Sequence, residues 1–172
     1  MPSHEFYKFS DADLGQIIAY VKSVPAVDNE VAETKVGPLG RIIVLLEGEL
    51  LPASIIDHTG PRPPEPAPGV TVEYGEYMSF ACSVCHGEEL SGGTVPGDEP
   101  DAPPAPNLTP RGTLGQWSEE DFIGTLRSGT TPYGKRLDDE FMPWKDFGLL
   151  TDDQLKAIWL YLSTLSARET TQ

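Results

Sequence analysis

Ten prolines gathered into two short runs limit this chain more than any other feature of it. The segment Pro61-Arg62-Pro63-Pro64-Glu65-Pro66-Ala67-Pro68-Gly69 holds five, and residues 96–106 hold another five. Proline fixes φ and has no backbone N–H, so neither run can continue a helix or a central strand. The first reads as an extended, polyproline-like linker over 61–69. It separates an N-terminal extension, 1–71, from a main domain, 72–172. The second lies between strongly patterned segments and is expected to be a long ordered loop within that domain. Seventeen Gly and 17 Pro foretell much loop, while 38% hydrophobic residues in 172 allow one packed core.

Helical signals occur in four places, and no run of alternating residues bounded by turns reads as a strand. Thr151-Asp152-Asp153-Gln154 is a capping box before Leu155, Ile158, Trp159, Leu162 and Leu165 on one helical face. Ser118-Glu119-Glu120-Asp121 starts a short helix reaching about Arg127, and Gly75 to about Cys85 suits another. A fourth, over 10–24, begins at Ser10 and carries Leu14, Ile17, Ile18, Val21 and Val24. Residues 36–60 hold an apolar run after Gly37-Pro38-Leu39-Gly40 that could form a helix, though pattern alone does not decide it.

The first and last of these helices look like copies. Sliding the chain by 141 residues lays Met1-Pro2 on Met142-Pro143, Phe6 on Phe147, Asp11 on Asp152, Leu14 on Leu155, Ile17 on Ile158 and Tyr20 on Tyr161. Two amphipathic helices share a period by chance. The Met-Pro, Phe and capped-start matches at one offset make an internal duplication the better reading.

Twelve Lys+Arg against 27 Asp+Glu leave a formal charge of −15, which opposes binding to nucleic acid or an acidic lipid surface. The longest apolar stretch, Ile42 to Leu46, is far too short to span a bilayer, so no transmembrane segment is expected. Nor does the sequence open with a basic region followed by an apolar one, as a secretory signal would.

The two cysteines stand in Cys82-Ser83-Val84-Cys85-His86, the spacing of c-type haem attachment. Thiols one helical turn apart can each add to a haem vinyl group, and the adjacent imidazole then meets the iron. A thioredoxin-like dithiol would want a βαβ pattern, and a zinc site would need two more ligands; with only His4 and His58 spare, both are weak alternatives. For the other axial position Met142 fits, in Phe141-Met142-Pro143-Trp144, where the following proline biases it toward extended backbone. Met78, four residues before Cys82, reads as packing. His58 reads as a solvated or capping loop residue.

Residues 72 to 166 resemble the class I c-type cytochromes, particularly the domains of multihaem cytochrome subunits of bacterial dehydrogenase and respiratory complexes. The likeness rests on Cys82-Ser83-Val84-Cys85-His86-Gly87, Ala105-Pro106-Asn107-Leu108-Thr109, Gln116-Trp117-Ser118-Glu119-Glu120-Asp121-Phe122 and Phe141-Met142-Pro143-Trp144. It implies an all-α class I cytochrome c fold with long loops, its first helix crossing its last, plus an N-terminal helical extension like the tail of a second such domain. It also implies one covalent haem c with His86 and Met142 as iron ligands. Pro106, in the Pro106-Asn107 pair, resembles the proline whose carbonyl accepts the ligand histidine's Nδ1–H; a plain turn proline is the alternative. Asn107, Trp117, Arg127, Tyr133, Lys135, Arg136 and Trp144 become candidates to hold the haem or its propionates, against surface roles for the basic residues and core packing for the tryptophans.

The function so implied is electron transfer, not catalysis, between redox partners outside the cytoplasm, where this family receives its haem. The partners would be proteins with basic docking faces or a membrane-bound oxidoreductase complex of which the chain is a fixed subunit. A haem enzyme or gas sensor is the more distant alternative. No haem motif precedes Met1, so the extension is either a remnant or the end of a longer dihaem protein, and Met1 is not counted as a ligand.

Overall fold

The structure, a computed structural model, describes residues 3–30, 32, 33, 35–46, 51, 53, 54, 56–95 and 102–171. The Met1-Pro2 end of the repeat and residues 96–101 of the second proline run lie outside them. Packing divides the chain into two compact units, 1–65 and 66–172, with the division inside the first proline run. Among the described residues there is no strand, only isolated bridges between Gly93 and Ala105 and between Thr130 and Arg136.

The second unit is organised by the crossing of α4 (Val72–His86) and α7 (Asp152–Thr164). Helix α4 begins a turn earlier than its apolar pattern, because the Thr71 hydroxyl accepts the Tyr74 N–H and caps the helix there. In α7, Thr151 accepts the Gln154 N–H while the Gln154 carboxamide oxygen accepts the Thr151 N–H at 2.8 Å. Its apolar face is removed from water, with Leu155, Ile158 and Leu162 at 0–1% exposure. The helices meet at Gly75, where a Cβ would stand 1.9 Å from the Ala157 carbonyl oxygen and 2.9 Å from the Tyr161 Cβ. Only glycine allows that approach.

Helix α5 (Glu119–Ser128), capped by Ser118 and Asp121, and the short α6 (Trp144–Phe147) complete the packing. Phe122 and Leu126 of α5 join Leu90, Leu114, Leu155, Ile158 and Leu162 in one core, and the Phe122 ring lies 5.7 Å from that of Trp159.

The first unit holds α1 (Ser3–Phe6), α2 (Asp11–Ser23) and α3 (Pro38–Leu46), the last supplying a helix within 36–60. The α1–α2 pair repeats α6–α7 at the offset of 141, helix end for helix end. Ser10 caps α2 as Thr151 caps α7, and Ser23 bonds the Tyr20 carbonyl as Thr164 bonds that of Tyr161, both at 2.7 Å. The backbone bonds Tyr7→Ser3, Phe9→Phe6 and Val24→Val21 recur as Gly148→Trp144, Leu150→Phe147 and Leu165→Leu162. An arginine braces each pair, though not at that offset: Arg127, before α6, bonds the Gly148 carbonyl and Asp152, and Arg62, after α2, bonds the Phe6 and Phe9 carbonyls and pairs with Asp11. Burial differs. Val21 is 63% exposed where its counterpart Leu162 is 1%, and α2 has no buried residue.

Candidate haem site

The site is built from the end of α4 outward. Cys82 and Cys85, not joined to each other by a disulfide, lie on its last two turns, and Cys82 packs against the core together with Met78, Trp117 and Met142. The fold thereby brings a cysteine and a methionine 60 positions apart in sequence (142 − 82) onto one apolar cluster. Burial, and next the proximity of Cys85, push the Cys82 thiol up to about 12.

His86 is buried at the end of α4 and its Nδ1 lies 2.7 Å from the Pro106 carbonyl oxygen. A carbonyl can only accept, so Nδ1 carries the proton. Burial lowers the His86 pKa despite the opposing Pro106 bond, which favours the neutral ring. The neutral tautomer with Nδ1 protonated leaves the Nε2 lone pair available, as metal ligation requires. The backbone that brings Pro106 there is a small scaffold: Gly92 N–H bonds the His86 carbonyl, Leu108 N–H bonds that of Leu90, and Gly93 and Ala105 exchange bonds of 2.9 and 2.8 Å.

Across the unit, Met142 is half-buried, and its N–H bonds the Asp138 carbonyl. The Lys145–Asp139 ion pair brackets the segment, and Lys145 lies 5.6 Å from the centre of the Trp144 ring. Hydrogen bonding by Lys145 holds the Asp139 carboxyl below its usual range.

The other expected residues separate into two groups. In residues 66–172, the buried side-chain polar atoms described without a protein partner are Trp117 Nε1, Thr125 Oγ1 and Trp144 Nε1. An indole N–H can only donate, so each tryptophan calls for an acceptor that the described residues do not supply. A group bearing carboxylates fits that demand, as the haem propionates do. By contrast Arg127 is turned to Gly148 and Asp152, Tyr133 reaches Gln116 at 3.3 Å, and Lys135 and Arg136 are exposed. Asn107 is buried and bonded to Thr109 and to Arg168, a role the motif did not foretell. Thr125 escaped sequence reading because a threonine on a helix carries no distinguishing signal.

Residues 72–166 match the family model described as cytochrome c. The chain is 29% identical over 116 residues to the fructose dehydrogenase cytochrome subunit of Gluconobacter japonicus, covering 60% of this chain and 24% of that protein. It is 28% identical over 135 residues to the gluconate 2-dehydrogenase cytochrome c subunit of Pantoea cypripedii, covering 70% and 27%. The matches thus span about a quarter of each relative. A C-x-x-C pair without a disulfide, a buried imidazole whose Nδ1 meets a carbonyl and an all-helical frame agree with the matched family: the chain belongs to the cytochrome c family, whose domains carry electrons on a bound haem.

Proposed function

We propose that residues 72–172 carry one haem c, attached at Cys82 and Cys85 and ligated by His86 and Met142, and serve as an electron carrier for an oxidoreductase outside the cytoplasm. The observation that carries the ligand assignment is the His86 Nδ1 bond to Pro106, which frees Nε2, on a core that also receives Met142. The bound haem supplies reversible one-electron exchange at its iron. The chain orients the imidazole, excludes water with Leu90, Leu114 and Phe122, and offers Trp117 and Trp144 to the propionates. A methionine ligand would raise the potential relative to two nitrogen ligands, and an iron held by both His86 and Met142 would offer no site to a substrate.

Two lines support a dehydrogenase-subunit role: the similar proteins are named as cytochrome subunits, and the charge of −15 suits basic partner faces. The extracytoplasmic location rests on the family resemblance. Matured protein should show the added mass of one haem and a ferric far-red iron–thioether band. Met142→Ala should keep the haem attached, lose that band and bind cyanide rapidly. An unchanged spectrum and potential would refute Met142 as ligand, and rapid cyanide binding by the wild type would favour the enzyme or sensor alternative.

The duplicated helix pair favours a further reading, that α1–α2 closes a second cytochrome unit. Its apolar stripe, uncovered at Val21, repeats the one that α4 covers on α7. An in-frame C-x-x-C-H about sixty codons before Met1, the Cys82-to-Met142 spacing, is expected in the gene, and its absence would leave the extension a remnant.

A further inference from the structure

Residues 167–171 lie beyond the matched family region and run back across the loop after α4. Their attachment is dense. Asn107 Nδ2 donates to the Arg168 carbonyl at 2.8 Å, while Asn107 Oδ1 accepts from Thr109 N–H at 2.8 Å and from its hydroxyl at 2.7 Å. Thr109 Oγ1 in turn accepts the Arg168 N–H at 3.2 Å, and Thr109 is wholly buried. Farther along, Thr171 Oγ1 lies 2.7 Å from Ser91 Oγ, and its carbonyl sits so close to Gly93 that a Cβ there would come within 2.4 Å. Ion pairs Arg168–Glu89 and Arg111–Glu169 flank the strap at the surface, where such pairs contribute little.

We infer that this strap is a positioning device for the His86 ligand, acting through Thr109 and Asn107 on the Pro106 carbonyl. The link is one peptide plane. The carbonyl of Pro106 and the N–Cα bond of Asn107 belong to the same planar unit, so a side chain that anchors Asn107 fixes the direction of the carbonyl that His86 Nδ1 meets at 2.7 Å. A well-aligned carbonyl draws on the Nδ1 proton and strengthens the imidazole as a donor to ferric iron. Loosening the strap therefore weakens that donor and raises the reduction potential. The inference rests on the proposed ligation by His86.

The test compares wild type with Thr109→Val, which keeps the shape and removes the hydroxyl, Thr109→Ser, which restores it, and a deletion of residues 167–171, all as matured holoproteins. Thr109→Val and the deletion should shift the Fe(III)/Fe(II) equilibrium toward the reduced form by about threefold or more, where tenfold is 59 mV for one electron. They should also move the ferric EPR g-values, and Thr109→Ser should return both to wild type. Variants that melt lower but keep the wild-type potential and g-values would make the strap a brace alone, overturning the inference, as would variants unchanged in every measure. If Thr109→Val gives no folded holoprotein, the deletion alone decides. A His86→Ala protein with wild-type spectrum would instead sink the ligand assignment beneath it.

Discussion

At the scale of single residues, close contact and unmet hydrogen bonds carry the consequences. Gly75→Ala would force a methyl group against the backbone of α7, and a cost of about 3 kcal/mol or more is expected, read as a lowered melting temperature of the holoprotein. A loss under about 1 kcal/mol would mean that the crossing adjusts easily. Trp117→Phe keeps the packing and removes a donor for which the described residues offer no acceptor. If the propionates receive it, the holoprotein loses about 1–3 kcal/mol; an unchanged melting curve would show that the indole N–H contributes nothing. Legibility at this scale follows local spacing. Cys82, Cys85 and His86 are adjacent and chemically distinctive, and Met142 is marked by its proline. Thr125 and Thr109 resemble any threonine until the fold buries them, and the partners of Arg127 depend on where α6 and α7 meet.

At the scale of elements, the two copies form an internal control. Leu155 is fully buried and its counterpart Leu14 only half-buried. Leu155→Ala should cost about 2–5 kcal/mol, Leu14→Ala under about 1 kcal/mol, each measured by denaturant unfolding of its own unit. Equal losses would mean that α2 is covered in solution. Thr151→Ala should cost about 1 kcal/mol through the lost cap. Capped, periodic helices such as α5 and α7 were readable because their signals lie within four residues. The start of α4 carries a weaker signal, because Thr71 and Val72 continue no apolar pattern and the cap lies outside it. The strap carries no such signal for a different reason: its bonds join residues 59 to 80 positions apart through hydroxyls, an amide and backbone, with no period to detect.

For the molecule as a whole, the excess of acidic side chains sets the kinetics of encounter more than the stability of the fold. Electron transfer to a small basic redox protein should slow as ionic strength rises from about 10 to 150 mM, the range over which screening shortens from about 30 to 8 Å. A rate indifferent to salt in stopped-flow mixing would exclude steering by charge. The proline run at 61–69 stands out from composition, since proline density needs no tertiary knowledge. What covers α2 does not, because an apolar stripe records that a surface is meant to be dry but not what dries it. The route of residues 167–171 over the Ser91–Gly93 corner also has a practical side. Any label or fusion attached just beyond them pulls on the loop that follows His86, so voltammetry on tethered protein should be anchored at the opposite terminus.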